Sequence, residues 1–160
     1  MDSIDKQLLA DPKDADLVTR LAARRTPTEE ARKLIEEFVA GAGADGQVRA
    51  TALFAELYSV LNAQRGQVMD GIERFSRKEK SMAAEIREKT RKMQQMQDES
   101  NADTADIDQL TTQLAWGTRI FEDRQRSLSY VCEVPVLIEK RLFDLAQAIQ
   151  EVAKFDSQAK

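Results

Sequence analysis

From residue 54 onward, apolar side chains recur every seven residues along two stretches that mirror each other about a polar turn. On the first stretch Phe54, Leu61, Val68, Phe75, Met82 and Met96 keep one position of the repeat, with Lys89 the polar exception. Tyr58, Ile72, Ile86 and Met93 keep the second, interrupted by Arg65 and Glu79. Ile107, Leu114, Phe121, Leu128, Leu142 and Ile149 repeat the pattern on the second stretch, interleaved with Leu110, Val131, Ile138, Leu145 and Val152. A heptad sustained this long predicts helices that pack along their length as a coiled coil. The expected class is all-α, with arms over about 48–97 and 105–155.

The two arms can be matched. If the chain folds back at the polar segment 98–106, facing residues have numbers that sum to a constant. A sum of 203 sets Met96 opposite Ile107, Met82 opposite Phe121 and Leu61 opposite Leu142. The same register brings Glu79 opposite Arg124, the one charge-complementary layer of the seam. An antiparallel hairpin of about 65–75 Å follows at 1.5 Å per residue, with Glu79 and Arg124 as a register-fixing ion pair.

Beside the strict seam, Leu53, Leu57, Val60, Val134, Val136, Leu137, Phe143 and Phe155 widen the apolar stripe at one end. A wide stripe calls for more than one neighbouring helix, whereas a narrow one is satisfied by a single partner. Helices are expected at Ser3–Leu9, at Asp14–Arg25 and at 27–40. The first is stopped near Asp11-Pro12, and the third is opened by Thr26-Pro27-Thr28-Glu29 with Thr26 as the capping hydroxyl. Residues 1–46 therefore supply one to three short helices that pack at the base of a hairpin spanning 47–160. A thinner tip, about 77–126, projects from that base, and the whole is one helical domain. Gly66, Gly71 and Pro135 fall at one height under the register and predict a bend there, either a packing kink or a hinge.

Composition narrows the chemistry. With no histidine among 160 residues, histidine-based metal and haem sites, His-activated nucleophiles and histidine phosphotransfer are excluded. The single Cys132 precludes an intrachain disulfide and reads as a partly buried structural thiol. No cofactor or metal site is expected, and no catalytic constellation emerges. The N-terminal residues lack the layout of a signal peptide and no run is long and apolar enough to span a bilayer, so a cytoplasmic location is expected.

Between Arg77 and Lys92 seven cations outnumber three acids. That stretch raises the alternative of a nucleic-acid- or chromosome-associated protein. A net charge of −4, the acids that follow at 98–108, and the lack of interleaved aromatics for base stacking disfavour it. The leading expectation is a non-enzymatic adaptor, scaffold or chaperone-like module that binds another protein, with a homodimer also open. Trp116, Met93, Met96, Arg87, Arg91 and Lys92 form its candidate partner surface. Trp116 either folds over the space beside Gly117, opposite Ile86, or stands exposed. The expected architecture resembles that of bacterial helical-hairpin stalk and adaptor proteins, including those of flagellar and type III export systems, although no motif carries the likeness.

Overall fold

The computed structural model describes residues 11–99 and 103–156, with the side chains of 154–156 excepted. The helix expected at Ser3–Leu9, the centre of the polar turn and the Phe155 side chain lie outside the described residues. Within them the chain is helical, without strands: α1 (Pro12–Ala22), α2 (Thr28–Gly41), a 3-10 turn (Gly43–Asp45), α3 (Gly46–Asp98) and α4 (Thr104–Asp156). Each long arm is one continuous helix, and α4 runs through Pro135 without interruption.

Local chemistry accounts for the boundaries. Asp11 and Pro12 begin α1. The Asp11 carboxylate accepts from Lys13 N at 2.9 Å, and Pro12 occupies the first turn, where its fixed φ fits and its missing N–H is not needed. The last carbonyls of α1 are satisfied one by one, as a helix end requires. Thr19 O accepts from Ala23 N at 3.1 Å and Arg20 O from the Thr26 hydroxyl at 2.7 Å. Leu21 O accepts twice from the Arg141 guanidinium, at 2.9 and 2.8 Å. Because Thr26 turns back to α1, it does not cap α2; Pro27 takes that position without a side-chain hydrogen bond. Gly43, at φ +55°, supplies the left-handed step into α3. Asp103 opens α4 by accepting from Ala105 N at 2.9 Å.

The chain divides into two compact units, one of 1–67 with 135–160 and the other of 68–134. In the first, α1 and α2 join the outer segments of α3 and α4 in a bundle. Its core contains Leu21, Ile35, Val39, Leu53, Leu57, Leu61 and Leu145, all fully buried. Each such side chain contributes roughly 1.5–3 kcal/mol of transfer free energy. The core corrects the expected seam. Leu53 and Leu57 are wholly inside, whereas Phe54 and Tyr58 remain 37% and 51% exposed. Burial here follows Ala50, Leu53, Leu57 and Leu61, a 3-4-4 spacing close to the natural helical period, because this segment faces several helices. Val136, Leu137 and Phe143, expected under a neighbour, are exposed among the described residues. Ion pairs tie the bundle's elements together: Arg49 with Asp14 at 2.6 Å, Arg32 with Glu151 at 2.5 Å, and Arg65 with Glu139 at 2.5 Å. Arg49 also stacks its guanidinium 4.5 Å above the Phe38 ring.

In the second unit α3 and α4 pair with each other, and the heptad holds. Every seam position of α3 from Val68 to Met96 is buried or half-buried, while the residues between are mostly exposed. On α4 the same is true from Ile107 to Leu128; Val131 departs from the pattern and is exposed. The antiparallel register is read directly at two levels. Arg124 meets Glu79, and Ile86 Cγ1 lies 3.8 Å from where a Cβ on Gly117 would stand. Both pairs have numbers that sum to 203.

Candidate protein-interaction surface

Within the 68–134 unit the Glu79 carboxylate is the deepest charge, only 4% exposed. Arg124 Nε donates to Glu79 Oε1 at 2.5 Å, and the guanidinium lies 4.7 Å above the Phe75 ring. Glu79 Oε2 is buried without a hydrogen-bond partner. Sliding either helix by one turn would strand a carboxylate among apolar side chains.

The other residues singled out from the sequence separate into three groups. Trp116 is 61% exposed and does not fold over Gly117; Ile86 already fills the space opposite that glycine. Ile120, one helical turn further on, is also exposed, so the two form an apolar pair on one face of α4. Met93 and Met96 are half-buried in the seam, with Met93 Sδ 3.5 Å from the Thr111 hydroxyl. Lys92 and Met96 border a hollow of about 250 Å³ with Asp106, Gln109, Leu110 and Gln113. Arg87 and Arg91 are exposed, and Arg91 is bound within its own helix to Glu88. Of the six, Met93 and Met96 thus belong to the seam, while Trp116, Arg87, Arg91 and Lys92 are exposed.

The basic stretch is partly neutralised. Arg77 pairs with Glu73 as Arg91 does with Glu88, and Lys89 is half-buried at the seam. Hydrogen bonds from these arginines, and then their charge, hold the Glu73 and Glu88 carboxyls below the usual carboxylate range.

Cys132, expected to be partly buried, is exposed. Among the described residues no group of three or more acids and cysteines is placed to hold a metal ion, and no helix is long and apolar enough to cross a membrane.

One site in the bundle unit escaped the sequence reading. Arg24 and Arg25, in the loop after α1, share a cleft with Lys140 and Arg141 of α4. Arg24-Arg25 is a visible dibasic pair, but nothing local connects it to residues more than a hundred positions away. Burial pulls the Arg141 guanidinium below its usual pKa range, opposed by the charge of Asp144.

No protein-family description, no curated protein and no solved structure matches this chain.

Proposed function

We propose that the chain is a non-enzymatic, cytoplasmic adaptor or scaffold that offers the outer face of its paired helices to another protein. The observation that carries this reading is Trp116, the chain's one tryptophan, held 61% exposed beside an exposed Ile120. Covering the remaining indole surface is worth roughly 3 kcal/mol, free energy that the isolated chain forgoes. Tryptophan and arginine dominate the energetic centres of interfaces. Arg87 belongs to the same level of the register as Trp116, and Arg91 and Lys92 follow it along α3. The coiled-coil-like seam supports the reading in another way: α3 and α4 satisfy each other there, which leaves the outer face for a partner.

The nucleic-acid alternative finds less support, because Arg77 and Arg91 already have carboxylate partners.

The test is affinity capture from cell extract, with the full chain as bait against its Trp116→Ala/Ile120→Ala double variant. The reading predicts a partner that the double variant loses at least about tenfold, with thermal unfolding unchanged. Deletion of 77–126 should lose the same partner. Capture by all three baits alike contradicts the proposal. Sedimentation of the purified chain shows whether that partner is a second copy.

A further inference from the structure

The cleft between the α1–α2 loop and α4 carries charge that folding does not explain. It is an open surface cleft of about 630 Å³ whose charged lining is Arg24, Arg25, Lys140 and Arg141, with Asp144 the sole acid. Asp144 and Arg141 offset each other electrostatically. Arg24, Arg25 and Lys140 have no carboxylate within ion-pair distance among the described residues. With four cations and one acid the cleft is net positive, in a chain whose net charge is −4.

The loop that presents them is pre-shaped. Thr26 N donates to Ala23 O at 3.1 Å, which makes Arg24 and Arg25 the two central residues of a β-turn. Both flanks are pinned, by the Thr26 hydroxyl on Arg20 O at 2.7 Å and by Arg141 on Leu21 O at 2.8 Å. Pro27 and Thr28, which also line the cavity, form the start of α2, where no side chain caps the first-turn N–H groups. A helix of 14 residues directs its positive dipole end there. The acids of that turn do not line the cleft, and Glu30 is bound to Arg20 at 3.2 Å.

We infer that this cleft binds a dianionic phosphate monoester, its phosphoryl group received by Arg24, Arg25 and Lys140 and its organic body by Pro27 and Leu137. Two charges on the ligand answer the local excess better than a carboxylate's one. Guanidinium forks fit the oxygens of a phosphoryl group bidentately. The volume exceeds what an inorganic ion fills and falls in the range of small-molecule sites. The exposed Leu137 gives the organic part an apolar wall. The monoester is either a free small molecule or a phosphorylated side chain of another protein.

The test is calorimetric titration of the full chain at low salt with phenyl phosphate, phenyl sulfate, and a phosphotyrosine peptide beside its unphosphorylated form. Saturable binding of phenyl phosphate, stronger than that of the monoanionic sulfate and weakened by added salt, is expected. Arg24→Gln/Arg25→Gln, on an exposed turn, should weaken it at least about tenfold, and Lys140→Gln severalfold. Arg141 is left intact because it holds α1. Helix content and the unfolding midpoint of each variant check that it is folded, and either variant alone suffices. Tighter binding of the phosphopeptide than of phenyl phosphate identifies a protein source; equal or weaker binding identifies a free monoester. No saturable binding of either phosphate probe up to about 10 mM, or binding that the folded variants leave unchanged, overturns the inference.

Discussion

Arg124 reaches across the paired helices to Glu79 with Nε 2.5 Å from Oε1, and it leaves Oε2 of that buried carboxylate without a partner. Breaking such a pair costs more than replacing it, because the charge left behind cannot recover its hydration. Arg124→Leu should therefore destabilise the chain by about 3 kcal/mol, whereas Glu79→Leu/Arg124→Leu should restore most of that loss. Urea unfolding measures both. A loss in the double variant equal to the sum of the losses of Arg124→Leu and Glu79→Leu would mean that the two residues are not coupled.

Arg141 closes α1 through two hydrogen bonds to Leu21 O. Arg141→Met keeps the aliphatic stem but leaves a buried carbonyl unsatisfied, and should cost about 2–3 kcal/mol. Arg141→Lys should rescue little, since a single ammonium cannot reproduce the planar fork. Thermal unfolding ranks the three proteins. Full rescue by lysine would show that charge, rather than geometry, matters there.

Leu57 and Tyr58 are neighbours in sequence with opposite environments, the first fully buried and the second half in solvent. Leu57→Ala should cost about 2–5 kcal/mol, and Tyr58→Ala less than about 1 kcal/mol. Denaturant midpoints decide the order, and a reversed order would restore the strict heptad at that end of α3.

The acid side of the stability profile should carry a small contribution from Glu73 and Glu88. Their folded pKa values lie below the ordinary 4.5, because Arg77 and Arg91 favour the carboxylate. The unfolded chain then binds more protons over that interval, so stability rises with pH. The contribution is complete above pH 4.5 and is lost as pH falls through the folded values. Both carboxylates are exposed, so screening keeps it small. Circular dichroism melts between pH 5 and about 2 should show a shallower decline for Glu73→Gln/Glu88→Gln than for the natural chain. An unchanged slope contradicts the assignment.

The heptad was legible wherever one helix has one neighbour. From Val68 to Met96 the apolar stripe is the contact, so periodicity alone located the seam and the Glu79–Arg124 layer. At Phe54 and Tyr58 it misled, because a helix with several neighbours buries a face chosen by all of them. Thr26 misled for a different reason: its hydroxyl can cap the next helix or close the previous one, and only the position of Arg20 O decides. Packing around Gly117 decides the Trp116 alternative, since a residue one place off the seam is compatible with either outcome. The cleft was illegible because Arg24 and Lys140 are brought together by the packing of α4 against α1, which no local pattern encodes.

α3 and α4 satisfy each other within one chain, and Trp116 stands exposed outside their seam. Ile86 and Gly117 are the closest test of it. In an Ile86→Cys/Gly117→Cys variant with Cys132→Ser, mild oxidation should form a disulfide within the monomer, since Ile86 Cγ1 already lies 3.8 Å from the Gly117 Cβ position. Non-reducing electrophoresis should then show a monomer of altered mobility at every protein concentration. A covalent dimer, or no cross-link under conditions that oxidise the thiols, would contradict the register and with it the outward face.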